Sequence, residues 1–277
     1  MTARIAEIVA RALAEDLEPL GDLTSSLLPG DATVQAAIVP RRDGVLAGRA
    51  AAMETFRQVH PGIRDEWAAS DGDAIRAGRA VARIEGPLAA VLTAERTALN
   101  FLCHLSGIAT LTRSYVDAAR PARVRDTRKT TPGLRALEKA AVRAGGGVNH
   151  RGSLSDGILV KDNHLGGLSI DEAVERARAR WPGRTVEIEC DTPDQVKAAA
   201  VAGADLVLLD NMSPEQVEEC VGLVRTSPRP CLVEVSGGVT LDNVAAYAAA
   251  GADLIAVGAL THSAPALDLG LDLDPAG

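Results

Sequence analysis

Aromatic side chains are scarce: Phe, Tyr and Trp together make up 2% of the 277 residues. A core with so few rings must be packed from Ala, Val, Leu and Ile, the residues of buried parallel strands flanked by helices. Positive charge is also short, with 29 Lys and Arg against 37 Asp and Glu and a net charge of −8. That balance argues against sequence-independent nucleic-acid binding, which draws most of its affinity from phosphate neutralisation. It leaves room for a local basic pocket, because low-dielectric walls focus the field of a few charges. No apolar run is long enough to span a membrane. The opening "MTARIAEIVARALAEDL" lacks a signal peptide's apolar core and spaces Ile5, Ile8, Val9, Ala12 and Leu13 as a helix does. The four cysteines (Cys103, Cys190, Cys220, Cys231) include no CxxC pair, so reduced thiols in a cytoplasmic protein are expected, and no ligand spacing points to zinc. A GxGxxG dinucleotide loop, a Walker loop and a GxSxG elbow are absent as well.

What is present changes character near residue 105. Before it, short β-like runs ("VQAAIVP", "GVLAGRA", "AVARIEG") alternate with turns such as "PGD" and "SDGD", reading as a small α/β sandwich domain over residues 1–104. A long helical pattern follows over 89–119, with a break expected near Gly107. Then "RVRDT", "GILVKDN", "TVEIECD", "DLVLLDN", "CLVEVSGG" and "DLIAVGA" alternate with helical patterns at 133–144, 169–181, 193–202, 213–225 and 240–250. Alternation at this spacing means parallel strands with helical crossovers, hence an α/β fold with an irregular barrel of about six strands over 105–265. A short extra strand could lie near "GGGVNH". The near-copies "VAGADLVLLDN" and "AAGADLIAVGA" fit successive βα units. Leu267, Leu269, Leu271 and Leu273 recur at period two, so the tail 266–277 should be a strand returning to the first domain.

In such barrels the reacting groups gather at the carboxyl ends of the strands. The earlier ends here are cationic: Thr127-Arg128-Lys129, then Asn149-His150-Arg151, then Lys161 after the apolar "GILV". The run "DTRKTTPG" puts two adjacent cations at a strand-to-helix junction with Asp126 as the nearby acid, which points to a ligand with several negative charges. The middle ends carry Glu189 and Asp210, able to accept ribose hydroxyls, hold Mg²⁺ or stabilise a positive sugar carbon. The last ends are Ser236-Gly237-Gly238 and Gly258-Ala259 through His262, glycine loops whose exposed N–H groups suit a phosphate. Asp191 before "TPDQ" reads as a helix cap, Arg135, Lys139 and Arg143 as a solvated helical face, and His60 and His104 as structural or surface histidines. Arg96 could pair with Glu95 or project into a site across a subunit boundary.

Over nearly the whole chain, "EDL…GDLTSSLLP", "ERTALNFL", "DTRKTTPGLRALEKAAVRAGGGVNHR", "LVKDNH", "VEIECDT", "LLDNM", "EVSGGVTLDNV" and "VGALTHSAPALDLGLDL" resemble the quinolinate phosphoribosyltransferase family. Small departures are Ala140, where Tyr is common, and Cys103-His104 in place of a polar pair. The resemblance implies attack of the quinolinate ring nitrogen on C1 of phosphoribosyl pyrophosphate with Mg²⁺, then loss of CO₂ to give nicotinate mononucleotide. It implies that Arg96 of a partner subunit in a homodimer, Arg128, His150, Arg151 and Lys161 hold the two carboxylates. Lys129 and Lys161 would face pyrophosphate, Glu189 and Asp210 the ribose and metal, and Ser236, Gly237, Gly258 and His262 the 5′-phosphate. Competing readings are a ModD-like or nicotinate-type transferase on the same scaffold, or a non-catalytic phosphosugar-binding protein.

Overall fold

The structure is a computed structural model that describes residues 2–229 and 231–274. The expected tail strand therefore has its last three positions, 275–277, outside the described residues. The chain runs α1 (Thr2–Leu17), β1 (Thr33–Pro40), β2 (Gly44–Val45), α2 (Arg49–Val59), β3 (Arg64–Trp67), β4 (Ala74–Ile75), β5 (Ala82–Pro87), α3 (Leu88–Ala118). It continues β6 (Arg123–Arg125), α4 (Arg135–Ala144), β7 (Ile158–Val160), α5 (Asp162–Leu165), α6 (Ile170–Arg180), β8 (Val186–Cys190), α7 (Pro193–Ala202). The last elements are β9 (Leu206–Asp210), α8 (Pro214–Arg225), β10 (Leu232–Ser236), α9 (Val244–Ala249), β11 (Leu254–Ala256), α10 (Ala259–His262) and β12 (Leu269–Leu273). Two compact units result: Met1–Arg113 with Thr130–Gly146 and Thr261–Gly277, and Ser114–Lys129 with Gly147–Leu260.

In the first unit an antiparallel sheet runs β12-β1-β5-β3, and β2 pairs with β4. Leu269, Leu271 and Leu273 of the tail lie in β12, with Leu267 just before it, and Leu271 sits opposite Ile38 of β1. Ile38, Leu46, Phe56, Ile84, Leu99, Leu102, Leu267 and Leu269 share the core. The break expected near Gly107 does not occur, since α3 is continuous. Gly107 answers to packing instead: a Cβ there would lie 2.1 Å from the carbonyl oxygen of Pro265, so the tail can cross the helix only where no side chain stands. Of the solvated face expected on α4, Arg143 is exposed and Arg135 half-buried, but Lys139 is corrected to a buried position, 6% exposed.

In the second unit six parallel strands run in the order β6-β11-β10-β9-β8-β7, as the alternation predicts. Val148 makes a parallel bridge to Arg125, in place of the short strand considered at "GGGVNH". The helices begin on reciprocal caps: Ser169 with Glu172, Thr192 with Gln195, Ser213 with Gln216, the latter two followed by Pro. Thr192, not Asp191, therefore caps α7, because its hydroxyl accepts the Gln195 N–H while Asp191 donates its own N–H to the Gln195 side chain. Helix α9 starts later than its pattern, because the Asn243 side chain first closes a turn with Thr240 and Gly238.

The near-copied phrases make the same joint twice. Gly203 and Gly251 take left-handed φ values of 87° and 92°. Asp205 then accepts the Val186 N–H and pairs with Arg178, while Asp253 accepts the Val233 N–H and pairs with Arg225, each Arg at 2.7 Å. Each aspartate thus ties the end of one helix to the start of a neighbouring strand. Cys190, Cys220 and Cys231 are buried free thiols, and burial pushes Cys190 up to about 12, so it stays an inert thiol.

Candidate active site

Strand β8 shows how the sequence builds the site. Its residues Val186, Ile188 and Cys190 are 0–1% exposed and alternate with Glu187 and Glu189, so both carboxylates share one face of the sheet. Glu189 Oε2 forms an ion pair with Lys161 Nζ, which stands just after the neighbouring strand β7. The lysine side chain is 40% exposed and the glutamate 12%. A cation following an apolar strand thus finds its counter-charge on the adjacent strand end.

Asp210 ends β9, hydrogen-bonded between β8 and β10. Asn211 follows it in the left-handed region, φ 55°, and links two of the expected elements. Its Nδ2 donates to Asp210 Oδ2 at 2.8 Å, and its backbone N–H donates to Ser236 O at 2.9 Å. Gly237, φ 88°, is required beside it, because a Cβ would come within 2.2 Å of Asn211 Oδ1. The loop Ser236-Gly237-Gly238 is thereby fixed next to Asp210.

The "DTRKTTPG" segment follows β6. Arg128 and Lys129 are exposed, and the Lys129 N–H donates to Thr127 Oγ1 at 3.0 Å. Asp126 is fully buried and committed elsewhere: one oxygen accepts the His150 N–H at 2.8 Å and the other accepts Asn149 Nδ2. Asp126 therefore holds two cationic segments side by side.

His150 is nearly buried, its side chain 9% exposed. Its Nδ1 accepts the Arg151 N–H at 2.7 Å, and its Nε2 lies 3.2 Å from Glu187 Oε2. Arg151 Nη1 donates to Gly157 O at 3.2 Å. Burial and then the charge of Arg128 lower the Arg151 guanidinium below its usual range, with Glu187 acting the other way. Two like charges gathered in this way mark a place for an anion.

Gly258 and Ala259 follow β11 at the start of the short helix α10. The second unit thus carries Thr127, Arg128, Lys129, His150, Arg151, Lys161, Glu189, Asp210, Ser236, Gly237, Gly238, Gly258 and Ala259. Arg96 and His262 belong to the first unit. His262 is exposed, with Nδ1 2.6 Å from Ser263 Oγ. Arg96 is 65% exposed, only loosely paired to Glu95 at 3.9 Å. It lines a cavity of about 570 Å³ with Arg11, Asn100, His104 and Thr131. His104, read as an ordinary histidine, contacts the fully buried Glu138 at 2.9 Å, and Glu138 also accepts the Thr131 N–H.

Arg125, Asp126, Glu187, Asn211 and Glu234 were not singled out as site residues from sequence. The signal was available in "RVR", "VEIEC" and "LVEVS", where charges alternate with β-branched residues. Charges at period two within buried strands must face an interior that can receive them.

Two family models match the chain: residues 22–106 fit the N-terminal domain of quinolinate phosphoribosyl transferase, and residues 108–272 its C-terminal domain. The nicotinate-nucleotide pyrophosphorylase [carboxylating] of Mycobacterium leprae is 43% identical over 273 residues, with 96% of each chain covered. The probable enzyme of that name from Bacillus subtilis is 42% identical, covering 91% of this chain and 88% of its own. The solved nicotinate-nucleotide pyrophosphorylase from Francisella tularensis superposes with a TM-score of 0.93 at 36% identity, covering 99% of this chain and 97% of the other.

Proposed function

The chain belongs to the quinolinate phosphoribosyl transferase family, and from that premise we propose that it transfers the phosphoribosyl group of phosphoribosyl pyrophosphate to quinolinate. The products are nicotinate mononucleotide, pyrophosphate and CO₂. The observation that carries this reading is the mutual presence of Arg128 and Arg151, the latter lowered by burial and by its neighbour's charge. Such a pair is unfavourable alone and is balanced by an acceptor bringing two carboxylates. Nicotinate, with one carboxylate, offers such a pair half the counter-charge.

The ring nitrogen attacks C1 of the ribose as the C1–pyrophosphate bond breaks, and positive charge grows on the sugar carbon. Glu189 and Asp210, on adjacent strand ends, stand for that charge, and Lys161, held by Glu189, meets the anionic groups on either side. Lys129 takes the same part toward pyrophosphate from the exposed loop. Breaking the ring–carboxylate bond then releases CO₂ and leaves an electron pair on the ring carbon. The adjacent positive ring nitrogen stabilises that pair before a proton replaces it. The glycine loops at Ser236–Gly238 and Gly258–Ala259 receive the 5′-phosphate.

Mg²⁺ prefers oxygen donors and is commonly held by one or two carboxylates together with substrate phosphates. Asp210 fits, since its hydrogen bond to Asn211 engages Oδ2 and leaves Oδ1 as a hard donor. Glu189 fits less well, because Lys161 already neutralises it. The ion would offset negative charge on the departing pyrophosphate. We place the protein in the cytoplasm as a homodimer in which Arg96 of one subunit completes the partner's site.

The test is incubation of purified protein with carboxyl-labelled quinolinate, phosphoribosyl pyrophosphate and Mg²⁺, following CO₂ release. Release with stoichiometric pyrophosphate supports the reading. Turnover of nicotinate without turnover of quinolinate would overturn it.

A further inference from the structure

Glu138 is a buried acid that the reaction drawn above does not use. It stands in the first turn of α4 and is 0% exposed. A carboxyl group so far from water is costly unless its oxygens find partners, and both of them do. Oε2 accepts the backbone N–H of Thr131 at 3.1 Å, and Oε1 lies 2.9 Å from Nε2 of His104. Three parts of the first unit therefore meet on one side chain: the His104 stretch of α3, the start of α4, and the turn that begins at Thr130.

The sequence explains the reach. Arg135 and Glu138 are one helical turn apart on α4, so their side chains stand on the same face. Both fold back on the segment that leads into the helix. Arg135 Nε donates to Thr130 Oγ1 at 2.9 Å, while Glu138 takes the N–H of the next residue, Thr131. The Thr131 carbonyl is engaged as well, accepting the Leu134 N–H at 3.1 Å. Gly133, at φ 82°, supplies the left-handed residue by which the chain turns into α4. An acid in the first turn is favoured further by the positive end of the helix dipole.

We propose that Glu138, aimed by His104, is a positioning residue for the transfer: by holding the Thr131 N–H it fixes the backbone from which Arg128 and Lys129 project. The inference rests on the phosphoribosyl-transfer reading above. Lys129 is joined to Thr130 by one peptide bond, so slack at Thr130 and Thr131 becomes slack in the two cations before them. Both cations are exposed, and ordering long exposed side chains around an anion costs entropy. A backbone held in place beforehand lowers that cost. Glu138 itself has no exposed surface to offer a substrate, so its loss should weaken binding more than chemistry.

The experiment uses the whole protein, and its first arm needs no substrate. Amide hydrogen exchange resolved to Thr131 should find a protected amide in the native protein. In Glu138→Ala that amide should exchange about tenfold faster, the size of one buried hydrogen bond. Glu138→Gln keeps the side-chain length and an oxygen for the N–H, so its Thr131 amide should stay protected. Equal exchange in the native and Ala proteins would overturn the proposal.

The second arm is kinetic. Glu138→Ala should raise KM for quinolinate about tenfold with a much smaller change in kcat, because Arg128 is displaced rather than removed. Glu138→Gln should recover most of that loss. A fall in kcat at unchanged KM, or equal impairment by Gln and Ala, would overturn the positioning role. If Glu138→Ala does not fold, His104→Ala carries both arms, since it releases Glu138 Oε1 and leaves the acid in place. It should speed Thr131 exchange and raise KM severalfold, and native values of both would overturn the proposal. Exchange at Thr131 is read without turnover, so failure of this joint and failure of the proposed reaction give different results.

Discussion

Asp126 Oδ1 accepts the backbone N–H of His150 at 2.8 Å, a bond spanning 24 residues of sequence. With Asn149 on its other oxygen, this buried carboxylate sets the distance between the Arg128-Lys129 loop and the His150-Arg151 segment. Replacing it by Ala removes the acceptor of two half-buried donors, at a cost of about 1–3 kcal/mol. Asp126→Ala should therefore lower the urea midpoint and raise KM for quinolinate in the protein that still folds. An unchanged midpoint would mean that the segment is held by other contacts.

Lys161 should separate stability from catalysis. Its pair with Glu189 is 40% exposed on the lysine side, so its removal costs under about 1 kcal/mol of stability. Its charge, in contrast, meets anions that become more concentrated as the sugar–pyrophosphate bond breaks. Lys161→Ala should lose turnover about 100- to 1,000-fold, the scale of one preorganised electrostatic group. Circular dichroism should stay native. Near-normal kcat would remove Lys161 from the mechanism.

Much of this arrangement was legible because βα alternation leaves a strong pattern. The six strands of the parallel sheet appear where apolar runs stand between helical periods, and the strand ends delivered Lys161, Glu189 and Asp210 directly. What was not legible depends on partners distant in sequence. Asp126 looked like a counter-ion for its neighbours until Asn149 and His150 were seen on it. Nothing in the sequence showed that His150 Nε2 would meet Glu187 of β8, 37 residues on. Gly107 suggested a helix break because its reason, the Pro265 carbonyl, lies at the other end of the chain.

Gly237 should prove intolerant of any side chain. At φ 88° an Ala is strained, and its Cβ would meet Asn211 Oδ1 at 2.2 Å. Asn211 must then move, taking its hydrogen bonds to Asp210 and Ser236 with it. Gly237→Ala should raise KM for phosphoribosyl pyrophosphate more than for quinolinate, because the disturbed groups lie on the phosphate and ribose side. Equal changes in both constants would show a general loss of structure instead. Gly238, with nothing within 4 Å of a Cβ but φ 60°, should give the milder effect of backbone strain alone.

Donation of Arg96 across a dimer can be tested by complementation. Arg96 is 65% exposed and bound only loosely to Glu95, so its guanidinium is free to serve a ligand from a second chain. If each site takes Lys161 from one subunit and Arg96 from the other, Arg96→Ala and Lys161→Ala homodimers are both inactive. A mixed dimer then contains one site with both residues native and one site lacking both. Random exchange of equal amounts makes half of the dimers mixed, so about a quarter of native activity should return. Were Arg96 to act within its own subunit, every site in the mixture would lack one residue and no activity would return. Activity measured before and after subunit exchange, through mild denaturation and refolding of the mixed chains, distinguishes the two cases.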